Sequence, residues 1–141
     1  MRPHVAVLFA ALLCCGCRGE TAAPPWEARP DTTWVSVRFE EYFAEVAIQD
    51  STTGLRGIFA AESGYRFSRK ARLQLAYTAL RPAVLRVVVE GRAGGETTTG
   101  RSHAIEPGTG VLPLGTFARG LYLLHAFISG SRVAVIPFAS E

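Results

Sequence analysis

Short apolar segments separated by glycine- and proline-containing turns fill the sequence from about residue 32 onward. In ARLQLAYTA the side chains of Leu73, Leu75 and Tyr77 occupy every second position, and AVLRVVVEG repeats this pattern after a break at Arg81 and Pro82. Apolar residues with a period of two predict strands that bury one face. Many such strands, divided by turns and without alternating helices, predict an all-β fold consisting of a single antiparallel β-sandwich.

The segment LYLLHAFIS is apolar on both faces of a predicted strand. One face holds Tyr122, Leu124, Ala126 and Ile128, and the other holds Leu121, Leu123, His125 and Phe127. A strand of this kind lies at the centre of a sheet, where a loop or the segment before the domain covers its second face. The alternative is an exposed strip that binds a partner, because monomers seldom leave large apolar patches in water. Leu121, Leu123, His125 and Phe127 are therefore the candidate partner face.

The beginning of the domain has two interpretations. Alternation in TWVSVRF at Val35, Val37 and Phe39 predicts a strand, and it resumes out of phase at Tyr42, which requires a bulge near residues 40–41. Helical spacing is the alternative for the same stretch, with apolar positions at Phe39, Tyr42, Phe43, Val46 and Ala47. We favour the strand over residues 39–49.

All three cysteines, Cys14, Cys15 and Cys17, follow a nine-residue apolar run, VAVLFAALL, near a positively charged start. This layout is typical of a secretory signal, and the run is too short to span a bilayer as a helix. No cysteine remains in the domain, so we expect neither a disulfide nor a thiol ligand there. A metal site in the cluster itself is disfavoured because no neighbouring His or second cysteine pair completes a tetrahedron.

The segment LLCCGC resembles a lipobox, the cleavage site of bacterial lipoprotein signal peptidase, with the small Gly16 before Cys17 and Cys14 where leucine is usual. The resemblance implies cleavage before Cys17 and lipid, such as palmitate, on that residue. An ordinary signal peptide with incidental cysteines is the alternative. Two or three acyl chains make such an anchor nearly permanent, since each buried methylene contributes about 0.8 kcal/mol.

The lipobox resemblance also implies a location and a domain plan. Arg18 after the lipidated position, rather than Asp, favours the outer membrane, facing the periplasm or the cell surface. Residues 1–16 are then the signal peptide, residues 17–31 the lipidated cysteine and a flexible, proline-containing tether, and residues 32–141 the sandwich domain.

Two stretches between about residues 68 and 139 carry a second resemblance, LQLAYTALRPAVLRVVVEGRAGG and GTGVLPLGTFARGLYLLHAFISGSRVAVIPF. They resemble immunoglobulin-like modules related to the flagellar hook-capping protein and to the C-terminal sorting domains of secreted bacterial proteins. The matching motif is Phe117, Gly120, Leu121 and Tyr122. It implies an immunoglobulin-like sandwich in which Gly120 permits a tight approach to the strand and Tyr122 forms a tyrosine corner. A secretion-signal role is not implied, because RVAVIPF lacks the basic residue usual in such tails.

Charge and motifs restrict the function classes. The 14 Arg and one Lys are scattered without a basic run, so we expect no nucleic-acid partner. His103, His125, Asp31 and Asp50 stand in no catalytic or metal-binding motif, so we expect no enzyme activity, no cofactor and no metal.

The function expected from the sequence is a non-catalytic cell-envelope lipoprotein, held to the membrane by its N-terminal lipid, that binds or scaffolds another envelope protein. One alternative is a carbohydrate- or ligand-binding module, which requires aromatic side chains such as Trp34 and Tyr65 together on one exposed face. Another is a small sandwich-type protease inhibitor or enzyme, which requires a protruding loop at residues 92–101 or a pocket around His103.

Overall fold

The computed structural model of the protein describes residues 34–92 and 100–141. The predicted signal peptide, Cys17 and the tether lie outside these residues, as does most of the loop at residues 92–101. The elements of the described part are β1 (Trp34–Val35), α1 (Phe39–Tyr42), β2 (Phe43–Asp50), β3 (Ile58–Ala60), β4 (Gly64–Phe67), β5 (Leu73–Ala79), β6 (Ala83–Gly91), β7 (Ser102–Ile105), β8 (Gly108–Gly115), β9 (Gly120–Ile128) and β10 (Ser131–Ser140).

The strands form two facing sheets, which confirms the predicted all-β sandwich. The large sheet has the order β3-β4-β10-β9-β6-β7, with β1 also paired to β10, and the small sheet has the order β2-β5-β8. One pair departs from the antiparallel expectation, because β4 runs parallel to β10.

Strand β10 shares one edge between two partners. Its first half pairs with β1, where Trp34 lies opposite Val135, and its last residues pair with β4, where Tyr65 lies opposite Phe138. Gly64 lies at this changeover with φ +81, and a β-carbon there would overlap the carbonyl group of Pro137. Glycine is therefore required for β4 to approach β10 at this point.

The main core lies between the two sheets, where the inward positions of the paired strands meet. Strands β5, β6 and β9 contribute Leu75, Leu85, Leu124 and Ile128, none of which is measurably exposed. Aromatic rings close one end of this core, because Phe138 contacts Phe67 edge-on at 6.5 Å between ring centroids. The apolar residues that recur at every second position of these strands are thus the buried ones.

The beginning of the domain differs from the favoured interpretation. Strand β1 ends at Val35, and Val37, predicted to face the core, is 94% exposed. The chain turns at Ser36, whose carbonyl accepts a hydrogen bond from the Phe39 amide and whose hydroxyl accepts one from the Arg38 amide. Because these bonds wind the backbone into a helical turn, the strand interpretation is wrong for residues 39–42.

From Phe43 onward the chain is the strand β2, as predicted, with an irregular register between Phe43 and Glu45. The rings of Phe39 and Phe43 lie 5.5 Å apart, one helical turn from each other. The helical spacing therefore describes only the first turn, and the strand alternation describes the residues after that turn.

Candidate functional site

The outward face of the large sheet contains the candidate partner residues of β9. Leu121 is 42% exposed and Phe127 is half-buried, whereas Leu123 and His125 are only 8% and 6% exposed. Leu123 forms a small apolar cluster with Val135 of β10, separate from the main core. The accessible part of the predicted strip is therefore its two ends, Leu121 and Phe127.

Phe127 lies between two arginines on this face. The register places Arg132 of β10 on one side of it and Arg86 of β6 on the other. The guanidinium carbon of Arg86 lies 5.4 Å from the centre of the Phe127 ring, a cation–π contact. Two positions along β6, Val84 is 52% exposed on the same face.

His125 connects the strands of the large sheet through its two ring nitrogens. Its Nε2 lies 3.2 Å from a carboxylate oxygen of Glu90, and its Nδ1 lies 3.3 Å from Nη1 of Arg132. Arginine can only donate, so Nδ1 is the acceptor and the proton on Nε2 is donated to Glu90. Burial lowers the pKa of His125 below its usual value, although the Glu90 carboxylate opposes this effect. The ring is therefore held as a neutral, oriented side chain.

Tyr122 has the geometry of a tyrosine corner at the start of β9. Its hydroxyl donates a hydrogen bond of 2.6 Å to the carbonyl oxygen of Ala118, and its ring stacks on Phe138 with centroids 5.2 Å apart. Gly120 stands two residues before Tyr122. Its φ is not positive, and a β-carbon there would lie 3.6 Å from the Tyr122 ring, an ordinary contact. The turn before β9 thus depends on the tyrosine more than on the glycine.

A cavity of about 380 Å³ lies between the sheets, where β7 and β8 form neighbouring edges. Its described lining residues are Val87, Val89, Arg101, His103, Leu112, Pro113, Leu114 and Phe117. None of these is acidic, so His103 has no carboxylate partner among them for general acid–base chemistry. The pocket around His103 is therefore an apolar cavity with two nitrogen-bearing side chains.

Of the two aromatic residues named for carbohydrate binding, only Tyr65 has a described side chain. Tyr65 packs against the main core, and its ring contacts Phe59 edge-on at 5.0 Å. The side chain of Trp34 lies outside the described part of the chain.

Residues 34–92 and 100–141 contain no group of three or more His, Cys, Asp or Glu side chains placed to hold a metal ion. No helix in these ranges has the length and apolar character needed to cross a bilayer. No protein-family model matches the sequence, and a search of the curated proteins finds no match.

Sequence reasoning did not identify Arg86, Glu90 and Arg132 as neighbours of the candidate partner face. Arg86 and Glu90 occupy the polar positions of AVLRVVVEG, which indicated only a solvated face. Their contacts depend on how β6, β9 and β10 align, and a single sequence does not give this register. The usable signal in the sequence was the presence of charged residues at the outward positions of these strands. Two basic residues and one acidic residue lie around an aromatic residue and a histidine.

Proposed function

We propose that this chain is a non-catalytic, lipid-anchored protein of the bacterial cell envelope that binds another envelope protein through the outward face of its large sheet. The docking face is defined here as Val84, Arg86, Leu121 and Phe127, the accessible residues of this outward face. The observation that supports it most is Phe127, a half-buried ring beneath the guanidinium of Arg86. Neither residue is needed to fill the main core.

The composition of the docking face is typical of the centre of a protein interface. Aromatic and arginine side chains are enriched among the interface residues that contribute most of the binding energy, near the centre of the interface. Leu121 and Val84 supply aliphatic surface at opposite ends of the docking face. Because β6 and β9 are hydrogen-bonded neighbours in a sheet, these side chains are presented on a rigid support.

The charges indicate the chemistry of the partner. Arg86 and Arg132 flank Phe127, and Glu90 is the one acidic residue described in contact with His125. An excess of positive charge favours a partner whose surface is acidic around an apolar centre, because complementary potentials increase the association rate and orient the complex.

The proposed anchor sets where this binding takes place. Sixteen residues separate Cys17 from Trp34, and a chain of that length reaches at most roughly 55 Å when fully extended. We thus expect the proposed partner to lie within one or two domain diameters of the membrane surface.

Photo-cross-linking in cells of the native host tests the docking face. A photoreactive phenylalanine analogue replaces Leu121, and the control replaces Val111, which is 52% exposed on the small sheet. We expect a discrete adduct of one defined mass from position 121 and none from position 111. Equal labelling from the two positions, or no adduct from either, would contradict docking through this face.

Labelling with an alkyne-tagged fatty acid tests the anchor. The proposal predicts that Cys17→Ser abolishes labelling and releases the protein from the membrane fraction, whereas Cys15→Ser retains both. If Cys17→Ser remains labelled and membrane-bound, the lipid is attached elsewhere or the protein is held by other means.

A further inference from the structure

Strand β7 and the residue before it place two polar side chains, His103 and Arg101, on the side of the strand that faces the other sheet. Ile105 is buried in the core opposite Ala83, and two residues earlier His103 lies opposite Leu85, which has no measurable exposure. Arg101 follows on the same side and, like His103, lines the inter-sheet cavity. Inward positions of a closed sandwich are normally apolar. The change from Ile105 to His103 to Arg101 therefore marks a place where the two sheets are not closed against each other.

The walls of this cavity and its open side differ in chemistry. Val87 and Val89 of β6 form one wall, and Leu112 and Leu114 of β8 form the other. Arg101 is exposed and lies at the open side, while Leu112 belongs to the buried core. The cavity therefore runs from an apolar interior to a cationic opening, and its volume of about 380 Å³ lies within the range of small-molecule sites.

We propose that the inter-sheet cavity binds an anionic amphiphile, a molecule with one apolar chain ending in a carboxylate or phosphate. The chain lies between the valines of β6 and the leucines of β8, and the anionic end is held by the guanidinium of Arg101 with the imidazole of His103 beside it. Arginine suits this role because its planar fork binds carboxylates and phosphates with two parallel hydrogen bonds.

The described lining contains no acidic side chain to compete for Arg101, which favours an anion over a neutral or cationic ligand. A neutral diacylglyceryl group, such as the proposed anchor would supply, has no anionic end for this arginine. The proposal is independent of the docking face, because Arg101 and His103 line the inter-sheet cavity whereas Arg86 and Phe127 lie on the outward face of the large sheet.

Methyl-detected NMR provides a local readout. The full chain is labelled at Leu and Val methyl groups and held in nanodiscs of phosphatidylcholine, a lipid without net charge. Titration with dodecanoate is expected to shift the methyl signals of Val87, Leu112 and Leu114 saturably, and to leave those of Val111 unchanged. Dodecyl phosphate distinguishes a phosphate end from a carboxylate end, and dodecyltrimethylammonium, which has the same chain with the opposite charge, is expected to produce no saturable shift.

Two variants test the two ends of the site. Arg101→Gln is expected to raise the half-saturating concentration about tenfold, the effect of losing a charged hydrogen-bonding partner, whereas the control Arg72→Gln leaves it unchanged. Leu114→Trp fills the cavity and should abolish the shifts. If its methyl spectrum shows that it does not fold, Val87→Phe fills the same space from the opposite wall.

Absence of saturable shifts with both anionic amphiphiles would overturn the proposal, and so would equal binding of the cationic amphiphile. Unchanged affinity in Arg101→Gln would overturn the assigned role of the arginine. The methyl shifts do not depend on whether a cross-linked adduct forms at position 121. Failure of the docking proposal and failure of the cavity proposal are therefore distinguishable.

Discussion

The two faces of β9 differ in what their side chains contact. Inward, Leu124, Ala126 and Ile128 are buried in the hydrophobic core between the sheets. Outward, the same strand presents His125 in a polar contact chain and Phe127 beneath an arginine. The inward face thus accounts for folding, and the outward face has a polar and aromatic arrangement that the main core does not require.

The difference also explains why the strand is apolar throughout. A central strand needs one apolar face to join the sheets, and Leu124, Ala126 and Ile128 meet this requirement. Leu123 extends the apolar character outward by packing on Val135. A second apolar face on one strand therefore indicates that something covers that face, and the proposed partner is one candidate for this contact.

Replacing matched residues of the two faces should produce the largest contrast in stability. Leu124→Ala removes a fully buried side chain, so we expect a loss of about 2–5 kcal/mol in the free energy of unfolding. Leu121→Ala, at an exposed position of the same strand, should cost less than about 1 kcal/mol. Urea denaturation of both variants measures the difference, and equal losses would show that the two faces do not differ in this way.

The tyrosine corner should have an intermediate effect. Tyr122→Phe preserves the stacked ring and removes only the hydroxyl that donates to Ala118, so the expected loss is about 1 kcal/mol. Tyr65→Phe is the control, because its hydroxyl has no hydrogen-bond partner among the described residues. Unfolding midpoints that coincide for the two variants would show that the corner does not stabilise the fold.

The outward face should contribute a smaller, pH-dependent effect through His125. Because its pKa is lowered in the folded protein by burial, the native state favours the neutral ring. This contribution is fully present above the ordinary histidine pKa near 6.5 and is lost as the pH falls from there toward the lowered value. We expect acidification from pH 7.5 to pH 5 to destabilise the unsubstituted protein more than it destabilises the His125→Gln variant.

Thermal unfolding of the two proteins across this pH range provides the measurement. His103→Gln is the control, because it removes a histidine that lies outside the contacts with Glu90 and Arg132. A wild-type pH profile that superimposes on that of His125→Gln would contradict the assignment of a neutral, buried ring.

The sequence predicted the strands well where burial of one face dominates. The alternation in β5 and β6 identified Leu75 and Leu85 as inward residues because a period of two leaves no other face for them. It did less well at Val37, where local hydrogen bonds to Ser36 outweigh the apolar pattern and turn the chain into α1. Local bonds of this kind compete with strand pairing and leave little trace in hydrophobic periodicity.

The candidate sites were less predictable than the fold for a geometric reason. The candidate partner face could be predicted on β9 because its residues are close together in sequence, but Arg86 and Arg132 lie beside it only through the register of three strands. The inter-sheet cavity depends on the separation between β7 and β8, which belong to different sheets. His103 lies on β7, and its inward position became evident only from its pairing with Leu85.

The central claim, that the outward face of the large sheet binds a partner and is separable from folding, is tested most directly by a reporter at Val84. A photoreactive side chain there, two positions from Arg86, is combined with Phe127→Ala in cells of the native host, and the yield of the cross-linked adduct is compared with that of the reporter alone. The account predicts a loss of adduct of at least about tenfold, the effect of removing an interface anchor, with a folded variant by circular dichroism. An undiminished yield of the same adduct in the folded Phe127→Ala variant would contradict it.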